Sequence, residues 1–333
     1  MKQIDLLFLF LLAINSLNAQ NRLTVNNQTG QAAQFSDLQT AIDAAENGDI
    51  IYLQGSDQNY GEILVNKSIT IYGTGYFLVE NEDTQAYLHA SSISKIVVNT
   101  AGSDSSFYGL DLTDTSNSIR LEGANNVIIN GCTFHRAALT ANAQNAIFQS
   151  CFLTYAAFGI SSLNLSENAS AAVSNCIFVG NKNISLSDEA EVSVSQSFFL
   201  NGDFIMVENS TFTNNIFADT NFSSGFLLNN NFQNNAFVAN INLPNNLNNI
   251  PLNTLISGDS SADNPVDNVF LLPQNSPANP DNNLETALGP FGGNMPYVLS
   301  GIPPIPHTYE LVAPTTVNAN GTMNVVIKAK VGN

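Results

Sequence analysis

One short pattern recurs along the middle of the chain: an apolar residue, two residues of any kind, a small residue, one further residue, and then an aromatic residue or leucine. A repeated unit constrains the fold strongly, because each copy must form the same piece of structure. The small position advances by 19, 25, 21, 13 and 20 residues. The step of 13 is too short for a full coil, so one of the two copies around it is predicted to be out of register. The copies are Ile129-Cys132-Phe134, Phe148-Cys151-Leu153, Val173-Cys176-Phe178, Val194-Ser197-Phe199, Val207-Ser210-Phe212 and Leu227-Asn230-Phe232.

Each copy lies in a short stretch with the composition and two-residue alternation of a β-strand. Clusters of Asn, Gly and Ser separate the stretches and are typical of turns, and no 3.6-residue pattern is long enough for repeated helices. Strands that return about every 20 residues without crossover helices indicate a β-solenoid. We therefore predict an all-β fold in which Ile129, Val173 and Val194 share one internal column. The predicted strands cover residues 127–129, 146–148, 172–173, 192–194, 204–207 and 226–228.

The three cysteines, Cys132, Cys151 and Cys176, occupy the same position of the repeat. Stacked, buried and reduced thiols that act as small hydrophobic residues are the favoured interpretation, and a disulfide between neighbouring coils is the alternative. A catalytic thiol is disfavoured, because no histidine accompanies the cysteines in the column. Asparagine, with 49 copies in the chain, can form an inner or outer ladder of amides that bond from coil to coil.

Residues 1–20 have the order of a secretory signal peptide: Lys2 near the start, an apolar run over residues 6–14, and the small residue Ala19 before the expected cleavage site. The apolar run is too short to span a bilayer, which needs about 20 residues. No later segment is apolar over about 18 residues, so no transmembrane segment is expected in the mature chain. The sequence thus predicts a secreted or cell-surface bacterial protein.

A short amphipathic helix is predicted directly after this region, at residues 35–45. Ser36 is the expected N-cap, and Gln39 would complete a capping box. Three strands follow at residues 49–53, 60–65 and 67–75, the last of which ends in glycines.

The order of these elements resembles the N-terminal cap and first coils of the pectin-lyase-like right-handed parallel β-helix superfamily. The resemblance lies in the helix, in Gly-Asp-Ile-Ile-Tyr-Leu at 48–53, in Tyr-Gly-Glu at 60–62, and in Lys-Ser-Ile-Thr-Ile-Tyr-Gly at 67–73. The later Asn-x-x-Ile-x-x-Cys-x-Phe coil at 126–134 is similar to the repeats of that superfamily. The resemblance covers residues 21 to about 255 and implies a right-handed parallel β-helix. We predict that this domain extends over residues 21–300, with an N-terminal cap at 35–53 and irregular last coils at 256–300.

A Pro-rich linker and a β-hairpin are predicted after the β-helix, within residues 301–333. The expected strands, at 308–312 and 323–331, are joined by the turn sequence Asn-Ala-Asn-Gly at 318–321. Two interpretations remain open. The hairpin either caps an end of the solenoid, whose edge would otherwise be unpaired, or serves as an attachment segment.

The resemblance does not imply one activity, because the superfamily contains lyases, hydrolases, esterases and adhesins. Its enzymes usually act on acidic plant or algal polysaccharides. The Asp clusters that hold calcium in pectate-lyase-like members are missing from this sequence, as are the Asn-Thr-Asp, Asp-Asp, Gly-His-Gly and Arg-x-Lys motifs of polygalacturonase-like members. With 27 acidic residues against 9 Lys and Arg, the net charge is −18, which disfavours nucleic acid, anionic membranes and polyanionic substrates.

One compact group is a weak candidate for catalysis: Asp111, Asp114, Glu122, His135 and Arg136. If adjacent coils bring these residues together, a carboxylate pair with His and Arg can perform acid/base chemistry. A solvated turn with one surface ion pair is the favoured alternative, and His135 and Arg136 are not expected to work as an acid/base pair.

Two acidic stretches, at residues 80–83 and 188–191, are interpreted as solvated loops. Oxygen-rich turns can bind calcium, but no ligand spacing supports a calcium site here, and no cofactor is expected.

Three functions remain. A non-catalytic extracellular β-helix protein that binds glycan, adheres to surfaces or serves as a scaffold is the preferred hypothesis. The alternatives are a divergent polysaccharide lyase or glycoside hydrolase and a purely structural assembly subunit. The expected partners are extracellular polysaccharide or cell-surface components.

Overall fold

The fold is built from parallel strands that return to the same three sheets in a fixed order. A computed structural model describes residues 20–154, 161–180, 182–187, 189–218, 222, 224–260, 265–314, 316, 321 and 323–332. The predicted signal peptide, residues 1–20, lies outside this part except for Gln20. From coil to coil the described chain passes through a ten-stranded, an eight-stranded and a seven-stranded sheet, all parallel. The predicted right-handed parallel β-helix is thus confirmed. Nearly all crossover connections between parallel strands of one sheet are right-handed.

The strands are numbered along the chain, and each sheet takes roughly every third one. Among the described residues, the ten-stranded sheet contains β1 (Arg22–Val25), β2 (Ile50–Leu53), β4 (Thr70–Tyr72), β7 (Ser106–Tyr108), β10 (Ile128–Asn130), β13 (Ala146–Gln149), β16 (Ser170–Ser174), β19 (Glu191–Ser195), β22 (Thr211–Thr213) and β24 (Asn231–Gln233). The described strands of the eight-stranded sheet are β5 (Ser92–Ile93), β8 (Asp111–Leu112), β11 (Thr133–Phe134), β14 (Phe152–Leu153), β17 (Ile177–Val179), β20 (Phe198–Leu200), β23 (Ile216–Ala218) and β25 (Ala236–Phe237). Those of the seven-stranded sheet are β3 (Glu62–Val65), β6 (Lys95–Asn99), β9 (Ile119–Glu122), β12 (Ala137–Leu139), β15 (Leu163–Leu165), β18 (Lys182–Leu186) and β21 (Asp203–Ile205).

A short helix, α1 (Leu38–Ala44), follows β1 and buries its apolar face against the first coils. Its N-cap is Asp37, whose carboxylate accepts the Thr40 N–H at 2.7 Å. The expected N-cap at Ser36 is therefore wrong. The predicted capping box also does not form, because the Gln39 side chain bonds to the backbone of β3 instead.

The predicted internal column is confirmed by the register of the ten-stranded sheet. Ile129 pairs with Phe148, Phe148 with Val173, and Val173 with Val194. All four side chains are buried, so equivalent apolar residues stack from coil to coil as the repeat predicts.

The last two copies of the repeat are out of register, one more than the spacing suggested. Val194 pairs with Phe212, and Phe212 pairs with Phe232, so the copies that begin at Val207 and Leu227 lie outside the column. The copies in register start five residues later, as Phe212-Asn215-Phe217 and Phe232-Asn235-Phe237. The stretch 226–228, predicted as a strand, belongs instead to helix α2 (Ser224–Leu228).

The small position of the repeat forms a buried ladder at the corner between the ten- and eight-stranded sheets. The backbone N–H of each of the later rungs donates to the side chain one coil further on: Cys176 to Ser197 Oγ at 3.2 Å, Ser197 to Asn215 Oδ1 at 2.9 Å, Asn215 to Asn235 Oδ1 at 2.9 Å, and Asn235 to Asn246 Oδ1 at 2.8 Å. We call this column the corner ladder. Its Asn members are the inner amide ladder that the composition suggested.

The three cysteines are the first rungs of the corner ladder, and each is a free, buried thiol. Each Sγ donates to a carbonyl of the preceding coil, as Cys151 does to the carbonyl of Ile129 at 3.3 Å. Burial raises the pKa of the Cys132 and Cys151 thiols well above its ordinary value. The preferred interpretation of the cysteines as buried thiols agrees with this arrangement.

Residues 256–300 were expected to form irregular last coils; together with their neighbours they form a segment, residues 255–303, that is here called the strap. Their described part instead runs back over the outer face of the eight-stranded sheet and buries a second apolar core. Phe270, for example, packs against Phe152 and Phe198 with ring centroids 6.1 and 5.0 Å apart. Because both faces of this sheet are covered, strands such as β17, β20 and β23 are buried at every position.

The strap reaches the first coils and is fastened there by buried hydrogen bonds. The hydroxyls of Tyr76 and Tyr297 lie 2.6 Å apart. The buried carboxylate of Asp267 accepts from the Ser300 N–H at 2.6 Å, from Tyr297 at 3.1 Å and from Asn81 Nδ2 at 2.8 Å. We call this group the clasp.

A C-terminal antiparallel hairpin, β26 (Pro306–Val312) and β27 (Val326–Val331), follows the strap as predicted. Its turn residues 318–320 lie outside the described part. The Thr308 carbonyl accepts the Ala86 N–H at 2.8 Å, so the hairpin lies beside a loop of the first coils, at the opposite end of the β-helix from β24 and β25.

Candidate functional site

Two of the five candidate residues, Asp111 and His135, approach each other on neighbouring coils. Asp111 lies on β8 and pairs in register with Thr133 of β11, two residues before His135. The Asp111 carboxylate accepts from Ser92 Oγ at 2.7 Å. Burial raises the pKa of Asp111, and the Ser92 hydrogen bond and the charge of His135 only partly oppose this effect.

The next coil adds a hydroxyl group to this pair. Thr154 follows β14, and its Oγ1 lies 2.7 Å from His135 Nδ1. A carboxylate, an imidazole and a hydroxyl thus lie on three successive coils, Asp111, His135 and Thr154. When Nδ1 is unprotonated, the imidazole can accept the hydroxyl proton, which is the first requirement of nucleophilic catalysis.

The remaining three candidates do not join this group. The Asp114 carboxylate closes its own turn by accepting the Ser116 N–H at 2.8 Å. Glu122 lies on β9 of another sheet and pairs with Arg120 at 2.7 Å. Arg136 Nη1 donates to the carbonyl of Ser116 at 3.3 Å. Asp114 and Glu122 are partly buried, as are Asp111 and His135, and Glu122 forms a surface ion pair with Arg120.

A cleft of about 1060 Å³ lies where the strap and the hairpin meet the first coils. Its walls are the loop 80–84, the strap residues 294–302 and the base of the hairpin, and outward side chains of the ten-stranded sheet complete the lining. A glycine in the strap lets it approach the coils closely: a Cβ at Gly301 would lie 2.2 Å from the carbonyl oxygen of Gly131, at a corner of the coils.

The lining of the cleft is mainly uncharged. Side-chain amides alternate with apolar groups, so the surface offers many donors and acceptors without a strong field. The amides are Asn81, Asn130, Gln149, Asn268 and Asn294, and the apolar residues include Leu271, Met295, Val298, Leu299, Ile302 and Val331.

The charged residues of the cleft lie on two separate walls. Glu80, Glu82 and Asp83 belong to the loop, whereas Lys330 and His307 belong to the hairpin. The His307 side chain is buried, and among the described residues its Nε2 has no hydrogen-bond partner. Burial lowers the pKa of His307 below its ordinary value, with a smaller contribution from Lys330 in the same direction. The imidazole is therefore neutral at pH 7, and the acidic wall dominates the charge of the cleft.

Sequence reasoning did not find this cleft. It treated residues 80–83 as a solvated loop, and the loop indeed exposes both glutamates, but it also forms a wall of the cleft. The residues of the cleft come from four distant parts of the chain, and no motif links them. In the second acidic stretch, Asp188 lies outside the described residues, and Glu191 is an exposed residue at the start of β19.

Among the described residues, no three His, Cys, Asp or Glu side chains are grouped so that they could hold a metal ion. Within the same part of the chain, no helix combines the length and the apolar character needed to cross a membrane.

No protein-family model matches the chain, and no curated protein matches it. Two solved structures are similar to it over much of its length. One is a pectin methylesterase from Aspergillus niger, with 14% identity over 77% of this chain and 95% of that chain and a TM-score of 0.33. The other is a pectin methylesterase from carrot, with 9% identity over 67% of this chain and 83% of that chain and a TM-score of 0.29. By its own three sheets and coil order, the chain is a parallel β-helix, the fold that its N-terminal motifs implied.

Proposed function

We propose that this protein binds an uncharged carbohydrate outside the cell and that the cleft of about 1060 Å³ is the binding site. The lining of the cleft carries the proposal. Sugars present hydroxyls that both donate and accept, next to apolar C–H faces. Amide side chains such as Asn130 and Gln149 provide the matching donors and acceptors, and the apolar residues of the strap provide the rest of the surface.

The charge of the cleft argues against acidic sugars. Uronate polymers need several cations or bound calcium to offset repulsion, but the loop wall contributes Glu80, Glu82 and Asp83 against Lys330 and a neutral His307. The net charge of −18 acts in the same direction at long range. The signal peptide predicted at residues 1–20 supports a location outside the cell.

Affinity electrophoresis of the chain without residues 1–20 tests the proposal. The probes are xyloglucan, galactomannan, laminarin and amylose, with polygalacturonate as the charged comparator. We expect at least one uncharged polysaccharide to bind and polygalacturonate not to bind. A preference for polygalacturonate, or no binding to any probe, refutes the proposal.

A pair of variants assigns the site. Asn130→Ala with Gln149→Ala removes two amides from the cleft, and we expect it to weaken binding by about tenfold or more. The matched control is Asn231→Ala with Gln233→Ala, which removes the same two residue types from the outer face of β24, far along the same sheet. Equal effects of the two double variants would place the ligand elsewhere.

A second candidate function is hydrolysis of a carbohydrate ester or glycosidic bond. The contact of 2.7 Å between His135 Nδ1 and Thr154 Oγ1, beside the partly buried carboxylate of Asp111, favours it. In this role His135 takes the proton from Thr154, and Asp111 stabilises the imidazolium that forms.

Release of acid or reducing sugar from acetylated and unmodified xylan measures this activity. His135→Ala and Thr154→Val should each abolish it if the group is catalytic, whereas Glu122→Gln, on another sheet, should leave it unchanged. Activity that survives in both site variants would exclude these residues from catalysis. A complete lack of activity in the unmodified protein would leave carbohydrate binding as the function.

A further inference from the structure

The outer face of the ten-stranded sheet carries three tyrosines in register. Tyr52 pairs with Tyr72, and Tyr72 pairs with Tyr108. Their rings stack along the axis of the β-helix with centroids 5.8 and 4.8 Å apart and planes 19° from parallel. Each tyrosine is only half-buried, so ring edges and hydroxyls remain accessible on three successive coils. We call these residues the tyrosine column.

The tyrosine column leads directly into the cleft. The rung after Tyr108 is Asn130, and the rung after Asn130 is Gln149. Both amides line the cleft, and Asn130 Nδ2 donates to Gln149 Oε1 at 3.3 Å. Aromatic and amide side chains thus form one continuous outward row over five coils.

From β2 onward, the outward columns that contain the tyrosine column are uncharged; Arg22 of β1, which pairs with Ile50, precedes them. In the two outward columns of the ten-stranded sheet, the described residues from Ile50 and Tyr52 to Asn231 and Gln233 are apolar, hydroxyl, amide or aromatic. This neutrality is notable in a chain with 27 acidic residues. It suits an uncharged ligand, because neither attraction nor repulsion of ions dominates the contact.

The spacing of the row favours an extended ligand over a small one. Parallel strands repeat about every 4.8 Å, so the same kinds of polar group recur at regular intervals along the axis. A linear polysaccharide also presents hydroxyls and C–H faces at regular intervals. Tyrosine suits such a ligand, since its ring offers an apolar surface and its hydroxyl a hydrogen-bonding group.

From this placement we propose that the tyrosine column extends the cleft into a linear site for an uncharged polysaccharide whose chain runs along the axis of the β-helix. The proposal rests on carbohydrate binding in the cleft. It adds the class of ligand and its direction: the cleft holds the end or a short stretch of the chain, and Tyr108, Tyr72 and Tyr52 hold the sugars that follow.

The test compares long and short forms of one ligand by isothermal titration calorimetry. Xyloglucan, galactomannan, laminarin and amylose are each paired with the disaccharide of their own backbone: cellobiose, mannobiose, laminaribiose and maltose. We expect the polymer to bind more tightly than its disaccharide. In the triple variant Tyr52→Ala, Tyr72→Ala, Tyr108→Ala, polymer affinity should fall by about tenfold or more, and disaccharide affinity should stay within about twofold of the wild type.

Two control variants separate the ring from the hydroxyl and from the fold. Tyr72→Phe keeps the ring and should retain most of the polymer affinity. Tyr87→Ala removes an exposed tyrosine that stacks on His89 outside the column, with ring centroids 4.4 Å apart, and should change neither affinity. The thermal unfolding midpoint of each variant shows whether the β-helix is intact.

The outcomes distinguish the two proposals. A triple variant that binds polymer as the wild type does overturns the tyrosine column as a binding surface. Loss of polymer and disaccharide affinity together also overturns it, because the column would then only support the cleft. If the wild type binds polymer but no disaccharide, and the triple variant loses the polymer, the tyrosine column stands and the cleft proposal fails.

Discussion

The hydrogen bonds of the corner ladder allow the loss of stability to be estimated for a change at a single residue, Asn215. Asn215 is completely buried. Its Oδ1 accepts the Ser197 N–H at 2.9 Å, and its Nδ2 donates to the carbonyl of Val194 and to Asn235 Oδ1, both at 3.0 Å. The side chain therefore satisfies backbone groups of the preceding coil that no water can reach.

Asn215→Ala leaves the buried Ser197 N–H without an acceptor and removes the Nδ2 donor to the carbonyl of Val194, which lies in the ladder between β19 and β22. Asn235 Oδ1 keeps one donor, the backbone N–H of residue 215. An unsatisfied buried group costs about 1–3 kcal/mol, so the expected loss in the free energy of unfolding is about 1–3 kcal/mol. Asn215→Ser should cost less, because Ser197 occupies the same ladder position and its Oγ accepts the N–H of the preceding rung at 3.2 Å.

Urea denaturation followed by circular dichroism measures these differences. Asn231→Ala is the control, since Asn231 lies exposed on the outer face of β24 and its loss should cost less than about 0.5 kcal/mol. The expected order of destabilisation is Asn215→Ala, then Asn215→Ser, then Asn231→Ala. If Asn215→Ala were no more damaging than Asn231→Ala, the ladder would not hold the coils together.

Three further predictions concern the core, the thiols and the clasp. Phe178 is buried and stacks on Phe199 with centroids 4.6 Å apart, so Phe178→Ala should lower the free energy of unfolding by about 3–5 kcal/mol, and a loss below about 1 kcal/mol would contradict the stacked core. Cys132, Cys151 and Cys176 should react with a thiol reagent only after denaturant is added, and rapid labelling in native buffer would show that the corner is open. Burial raises the pKa of Asp267 above its ordinary value of 3.8, so its contribution to stability is full below pH 3.8 and decreases as pH rises through the raised value. The stability of the wild type relative to Asp267→Asn should therefore decrease as the pH rises above 3.8, and a constant or increasing difference would refute this.

The repeated part of the fold could be predicted because residues close together in the sequence determine each strand and each corner. Alternating residues such as Val192 and Val194 define the inward face of a strand, and the recurring small residue defines the corner. The predicted register was wrong where two copies of the pattern overlap, because Val207 and Phe212 both fit the apolar position. Only the space inside the coil, which Phe212 fills, decides between them.

The strap and the cleft could not be predicted, because they depend on contacts between distant segments without a repeat. One feature of the sequence does indicate that the eight-stranded sheet is covered on its outer face. Strands β17, β20 and β23 are continuous apolar runs, such as Ile177-Phe178-Val179, and such runs are typical of a parallel sheet covered on both faces. These apolar runs indicate that another segment packs over this sheet, but they do not identify residues 255–303 as that segment. At the candidate site, the sequence suggested Asp111 and His135 as neighbours, but it also grouped them with Glu122, which lies on a different sheet.

The clasp also bears on how the chain acquires its structure. In an open solenoid each repeat contacts only its neighbours, so the ends can fray and folding can begin anywhere. Here the bond between Tyr76 and Tyr297 joins residues 221 positions apart, and the strap between them contacts most of the eight-stranded sheet. The terminal coils can therefore not separate without releasing the strap, which makes the array behave as a single cooperative unit. A closure of such long range forms late, so we expect this β-helix to fold slowly and, once folded, to resist local opening.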